Sequence, residues 1–381
     1  MDRLRRALVV ANTDWFVARF MAGFLAAHVR AGIAVTAATP AGPHVERLRE
    51  AGLEWAHIPI SRGRGSPAGN LAAAAAIRRL VRRLQPDLLH LVTAKPVLLG
   101  AVALPPSGSP AVVNVLPGLG RPFSSRGLPA ALERRVLRWG ARRALARPRA
   151  LLVFHQPADQ QIILGETPTL VPRSRVIPGW GLDPDGFRRP RAEAGPPQVV
   201  MVSRMLWSKG VADFVAMAGR CRAACDARFI LVGSPDPGHP DRVPLQQLEA
   251  WREAGAVEWW GHRDDIPEVL AQAALLVLPS RYGEGVPQAL IEAAAAGVPI
   301  VASDLPGCRA VVEEGLNGQL VPPGDVDGLA QAVLRMLGDA EVRAAMGAQG
   351  MRLARERFAV EAILARYVDA YRALELAWPE G

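Results

Sequence analysis

Two glutamates, Glu284 and Glu292, stand eight positions apart in the stretch Leu276 to Asp304, LVLPSRYGEGVPQALIEAAAAGVPIVASD. Glu284 lies in a glycine-flanked loop. Pro287 sits where a helix would begin, its ring presetting φ and its missing N–H costing nothing there. Glu292 falls in the second turn of that helix and is the only ionisable residue between Gln288 and Gly297. A carboxylate in so apolar a helix needs hydrogen-bond donors or cations. The helix start leaves N–H groups unpaired and carries the positive end of a dipole, which suits a phosphate. Acceptor-rich side chains beside an anion site fit a ligand bearing both hydroxyls and phosphate. In the purely structural alternative, Glu292 caps a neighbouring loop and Glu284 is solvated.

A second group of charges is upstream, in Val199-Val200-Met201-Val202-Ser203-Arg204-Met205-Leu206-Trp207-Ser208-Lys209-Gly210. A buried strand would deliver Arg204 at its carboxyl end, a short loop would deliver Lys209, and Gly210 would open a helix. Of 45 basic residues only Lys95 and Lys209 are lysine, so a compact ammonium at position 209 is informative. Two cations and a helix start are what a departing diphosphate needs; a pair of surface charges beside a βα loop is the alternative. Paired carboxylates also invite a glycoside-hydrolase reading, but Glu284 facing cations would stay ionised and make a poor general acid. His90, His155 and His262 are candidate bases, each with a structural alternative.

The elements that must position these groups are short apolar strands alternating with helical patterns, the signature of parallel sheets with crossover helices. Predicted strands in the first half are 7–11, 35–39, 54–58, 88–91, 112–115 and 151–154. Those in the second half are 199–203, 229–233, 257–260, 275–278, 300–303 and 319–321. A polar, proline-rich linker at 188–197 separates them. The expected fold is α/β, two doubly wound Rossmann-like domains facing across a cleft, with ligand at the carboxyl ends of the strands.

Composition agrees. A chain of 381 residues, half of them apolar, exceeds one ordinary core and implies two domains. No run is long and apolar enough to span a bilayer, and Asn12-Thr13-Asp14 interrupts the first apolar run before a signal-peptide core could form. Three cysteines without zinc spacing fit a reducing cytoplasm. The net charge of +9 divides unevenly, +16 over residues 1–196 and −7 over 197–381. The densest basic segment, Arg121 to Arg149, holds nine arginines against one acid. In it Arg134, Arg135, Arg138 and Arg142 surround Leu132, Val136 and Trp139 at helical spacing. Such a helix can lie on an anionic membrane surface, each cation contributing on the order of 1 kcal/mol; a solvated arginine face is the alternative. Nucleic acid is not an expected partner, for want of any recognised motif and because the second half is acidic.

The combined pattern resembles a known family. Ser203-Arg204 with Lys209-Gly210, then Val232-Gly233, Trp260-Gly261-His262, Leu278-Pro279-Ser280, the pair Glu284 and Glu292, and Gly297 to Asp304 are similar to the family-four retaining glycosyltransferases of the GT-B fold. The likeness is strongest over about 197–340 and nearest to bacterial enzymes that extend lipid-diphosphate-linked sugars for surface polysaccharide. It implies that Glu292 holds the ribose hydroxyls, and that Glu284, Gly285, Val286 and Pro287 contact the donor sugar and phosphate. Arg204 and Lys209 would clamp the leaving group, with Ser203, Gly261 and His262 also on the donor side. The donor expected is a UDP-hexose or UDP-N-acetylhexosamine. No metal and no cofactor is expected, because no aspartate-rich motif stands near the diphosphate and the two cations replace such an ion. By the same resemblance residues 1–190 form the acceptor-side domain, 191–359 the donor domain, and 360–381 cross back onto the first. The first βα loop lacks the paired glycines of many members, leaving Asn12, Asp14, Arg19 and His90 as acceptor-side candidates. The expected location is the cytoplasm, peripheral on the inner membrane face. Rival readings are a nicotinamide enzyme, which the missing G-x-G-x-x-G turn disfavours, a non-catalytic nucleotide-sugar-binding module, and a nucleotide-sugar epimerase.

Overall fold

A computed structural model of the chain describes all residues except 62, 64, 106, 109, 120–127, 191–194, 283–284 and 380–381. Its contacts divide the chain into two units, Met1–Leu182 with Val360–Gly381, and Asp183–Ala359.

The first unit opens with β1 (Asp2–Arg3), whose partner comes from the chain's far end. Its main sheet comprises β2 (Arg6–Val10), β3 (Ala34–Thr39), β4 (Glu54–His57), β5 (Leu88–Val92), β6 (Ala111–Leu116), β7 (Ala150–Phe154) and β8 (Ser174–Val176). All pairings in it are parallel, in the order β4-β3-β2-β5-β6-β7-β8. Side chains alternate across each strand. In β2, Ala7 and Val9 therefore enter one core layer and Leu8 and Val10 the other. Burial on both faces explains why these strands read as unbroken apolar runs. The crossover helices used below are α1 (Ala22–Arg30), α2 (Pro67–Leu84), α3 (Ala94–Ala103), α4 (Leu128–Leu145) and α5 (Pro157–Leu164). Helix α2 shows how local chemistry sets a boundary: Ser66 Oγ accepts from the Gly69 N–H at 3.0 Å, Pro67 fills the first turn, and Gln85 ends it with φ of 44°.

The second unit repeats the plan with β9 (Gln198–Val202), β10 (Arg228–Val232), β11 (Glu258–Trp259), β12 (Ala273–Leu278), β13 (Ile300–Ser303) and β14 (Gly318–Val321). These too are parallel, in the order β11-β10-β9-β12-β13-β14. Its helices include α6 (Val211–Cys221), α7 (Leu245–Glu253), α8 (Gln288–Ala295) and α9 (Ala340–Phe358). In each sheet the winding reverses direction once, between β2 and β5 and between β9 and β12. Such reversals splay the connecting loops apart and create ligand crevices at the carboxyl ends.

After Ala359 the chain joins the first unit. Helix α10 (Val360–Arg372) carries Tyr367 and Tyr371 into its core, both fully buried, and β15 (Leu376–Ala377) pairs with β1. The predicted strands all appear within one or two residues of their expected ends; β1, β8 and β15 were not predicted. Each of these three is only two or three residues long, too short to show a pattern of its own.

Candidate active site

Ser203, Arg204 and Lys209 of the candidate donor set lie at the β9–β12 reversal. Strand β9 ends at Val202; the Ser203 N–H bonds to the Val232 carbonyl at 3.0 Å, and its hydroxyl donates to the Arg204 carbonyl at 3.0 Å. Arg204 extends its guanidinium to Asp236, 3.2 Å away. A 3-10 turn, Trp207–Lys209, then presents Lys209, and Gly210 opens α6 with φ of 78°. A Cβ at position 210 would stand 1.9 Å from the Pro279 carbonyl oxygen, so only glycine lets the Lys209 turn approach the end of β12. The Arg281 N–H donates to the Ser208 carbonyl at 2.8 Å, and the Arg281 side chain makes a two-pronged bond to Asp213 in the first turn of α6. The loops after β9 and after β12 are thus joined by backbone and side chain.

Beyond Arg281 the catalytic candidate Glu284 lies outside the described residues. Gly285 and Val286 lead into Pro287, which is the N-cap of α8 and not its first helical residue. Glu292 is 2 % exposed, and both it and Lys209 interact with other groups of the chain. On the other side of β9, the Gly233 N–H donates to the Gly261 carbonyl at 2.7 Å. Gly233 has φ of 137°, and a Cβ there would meet the Ser203 carbonyl at 1.8 Å. His262 is exposed, 3.6 Å from Asp264. The guanidinium groups of Arg228 and Arg263 lie over the neighbouring Trp260 ring at 5.9 and 5.7 Å, and its N–H donates to Glu258 at 3.1 Å. Arg228 holds the same Glu258 by two 2.7 Å bonds, which keeps that carboxyl below its ordinary pKa.

The acceptor-side candidates separate. Asp14 is buried and accepts from the His44 N–H at 2.8 Å. A Cβ on Gly42 would fall 2.3 Å from its carboxylate, so Asp14 closes the loop after β3. Asn12 is half-buried beside it, and Arg19 is exposed in an irregular helical turn, Val17–Met21. His90 does not belong with them. Its place in β5 points it into a core layer, 1 % exposed, where its Nε2 lies 3.0 Å from the Tyr371 hydroxyl. Burial lowers its pKa to about 3, so it is a neutral packing group. His155 is also buried, 5 % exposed, with its pKa lowered by burial to about 3, and presents no accessible base.

In α4 the predicted stripe, Leu132, Val136 and Trp139, is exposed, as is Leu128 one turn before it, while Leu137, Ala141 and Leu145 face the core. The flanking arginines divide. Arg138 and Arg142 pair with Glu166 beyond α5, at 3.0 and 3.6 Å; Arg135 is exposed and Arg134 half-buried.

Two family descriptions match the chain: "Glycosyl transferase 4-like" over residues 6–146 and "Glycosyl transferases group 1" over 196–339. The chain belongs to this glycosyltransferase family. The second match takes in every donor candidate named above. A curated relative, the N,N'-diacetylbacillosaminyl-diphospho-undecaprenol alpha-1,3-N-acetylgalactosaminyltransferase of Campylobacter jejuni, is 35 % identical over 147 residues, 39 % of this chain and 37 % of that protein. The exopolysaccharide phosphotransferase SCO2592 of Streptomyces coelicolor is 31 % identical over 304 residues, 78 % of this chain and 30 % of that protein. The glycosyltransferase chain therefore spans about a third of the length of these relatives. The crystal structure of Anabaena Alr3699/HepE in complex with UDP and glucose superposes with a TM-score of 0.79 at 21 % identity, covering 97 % of this chain and 100 % of that one. The fold is that of the GT-B glycosyltransferases. Among the described residues no cluster of three or more His, Cys, Asp or Glu could hold a metal ion, and no helix is long and apolar enough to cross a membrane.

Proposed function

We propose that this chain transfers a hexose or N-acetylhexosamine from a UDP-sugar to a lipid-diphosphate-linked or glycan acceptor, with retention at the anomeric carbon. The observation that carries the reading is the meeting of the Lys209 turn with the Pro279–Arg281 segment at the β9–β12 reversal, at the carboxyl ends of the strands. There Arg204, in competition with Asp236, and Lys209 would meet a diphosphate, and the start of α8 adds backbone N–H groups. The acceptor class is supported by the Campylobacter relative, named for a diphospho-undecaprenol substrate. The donor class is supported by the HepE structure, which holds UDP.

Bond breaking at the anomeric carbon runs ahead of bond making, leaving an oxocarbenium-like sugar and a growing charge on the diphosphate. Arg204 and Lys209 stabilise that charge without a metal ion, and a phosphate oxygen takes the acceptor proton on the same face. Glu292 holds the ribose hydroxyls, while Glu284 and residues 285–287 contact the sugar and phosphate. The exposed stripe of α4 rests on an anionic membrane, where a lipid-linked acceptor is found, so the enzyme works peripherally at the inner face. Thermal stabilisation across a panel of nucleotide sugars identifies the donor. With that donor and an acceptor, Arg204→Ala or Lys209→Ala lowers turnover by ~10²-fold or more. Near-normal turnover in both variants would refute the clamp, and product formed without any acceptor would point to an epimerase.

A further inference from the structure

The Arg281–Asp213 pair has no part in the proposed chemistry, yet it is built with unusual care. Asp213 is 5 % exposed at its side chain and is the third residue of α6, where the helix dipole favours a carboxylate. Both its oxygens are taken by one guanidinium, through Nε at 2.7 Å and through Nη2. The two residues are 68 positions apart, Asp213 in the first turn of α6 and Arg281 on the segment leaving β12. Arg281 is also held by its backbone, through the N–H bond to Ser208 at 2.8 Å. Ser208 immediately precedes Lys209 in sequence, and Gly210, which immediately follows it, packs on the Pro279 carbonyl. The segment leaving β12 is therefore fastened on both sides of Lys209. Four residues after Arg281 comes Gly285, and the start of α8 follows.

We propose that Arg281 and Asp213 form a positioning pair that sets the distance between the Lys209 ammonium and the start of α8, and so fixes the width of the slot for a diphosphate. The proposal rests on the reading that places a nucleoside diphosphate at this reversal. A bidentate guanidinium–carboxylate contact fixes angle as well as distance. An ammonium at position 281 can satisfy one oxygen but cannot reproduce the fork. Loss of the fork lets the two loops drift apart, and the phosphates lose simultaneous contact with both sides. A nucleoside without phosphates does not read that distance.

The experiment measures UDP and uridine affinities of the full chain by calorimetry and follows their ratio. Arg281→Ala is expected to lower UDP affinity about tenfold or more with uridine affinity unchanged, and Asp213→Asn to do the same. Arg281→Lys should fall between these and the unaltered protein. The double variant should be no worse than either single one, as for two halves of one contact. A pair that only adds stability would lower the melting temperature and leave the ratio alone; a ratio within twofold of the original in Arg281→Ala and Asp213→Asn overturns the proposal. Should Arg281→Ala fail to fold, Arg281→Lys and Asp213→Asn decide the matter. Lys209→Ala separates the two levels. If it abolishes the preference for UDP while the pair variants keep it, the positioning claim alone fails. If Lys209→Ala keeps the preference, or the unaltered chain holds UDP no tighter than uridine, the diphosphate reading fails and the pair falls with it.

Discussion

Arg204 reaches the β9–β12 reversal already engaged with Asp236, and a diphosphate must compete for it. The Arg204 side chain is 49 % exposed and that of Asp236 21 %. Pairs this open contribute about 0–1 kcal/mol. Removing the competing charge with Asp236→Asn should therefore strengthen UDP binding by up to about fivefold, measured by calorimetry at low salt; weakened binding would mean that Asp236 itself holds the ligand. Arg204 and Lys209 were legible in the sequence because a strand end and a short loop fix their place. Asp236, Asp213 and Arg281 were not. Their partners are 32 and 68 positions away, and only the strand order brings such loops together. His90, an acceptor-side candidate by resemblance, was misplaced because alternation within β5 sends its ring into the core beside Tyr371.

At the scale of elements, α4 carries the clearest unpartnered feature. Its buried face, Leu137, Ala141, Ala144 and Leu145, is the one the sheet needs. The opposite stripe leaves Leu132 and Trp139 at 64 % and 53 % exposure. Pairing with Glu166 ties up part of the charge of Arg138 and Arg142, so in the proposed membrane contact the apolar residues would carry more than a count of arginines implies. Leu132→Ser with Trp139→Ser should weaken binding to phosphatidylglycerol vesicles by tenfold or more, on the order of 2 kcal/mol of lost apolar burial. Glu166→Gln should strengthen it, each freed arginine contributing about 1 kcal/mol. Co-sedimentation reads both, and unchanged binding in both variants removes the membrane from the proposal. Here the sequence marked the helix and its charges but not which arginines were already neutralised, because Glu166 comes from the turn after α5, two elements further along the chain. The long buried strands were legible for the opposite reason, since each declares itself by composition alone.

For the molecule as a whole, the return of the C-terminal segment to the first unit creates a buried polar chain that titrates. His28 Nδ1–H donates to the Phe24 carbonyl at 2.9 Å, which leaves Nε2 as acceptor for the Tyr371 hydroxyl at 2.9 Å; the Tyr371 oxygen then accepts from His90 Nε2–H at 3.0 Å. His28 must be neutral for this arrangement, because its Nε2 accepts. Burial lowers His28 to about 4 and His90 to about 3, and His155 in the same unit also to about 3. In the unfolded chain each titrates near 6.5. Below that value the unfolded state binds protons that the folded state refuses, so stability present at neutral pH is lost as pH falls. Asp159 works the other way: burial raises it to about 6, so the folded state gains a proton between about 6 and the unfolded value near 3.9. Three imidazoles against one carboxyl leave a net uptake of two protons on unfolding, a slope of about 2.7 kcal/mol per pH unit near pH 5. The urea midpoint of the first unit, followed by near-ultraviolet circular dichroism, should therefore be similar at pH 7.5 and 8.5 and drop sharply between pH 6 and 5. Tyr371→Phe should lower the midpoint at every pH, for a loss of stability of about 1–3 kcal/mol, since both imidazoles lose their bridging partner. A midpoint flat from pH 7.5 to 5 would show that these histidines are solvated, and that α10 does not seal the core it closes in the structure.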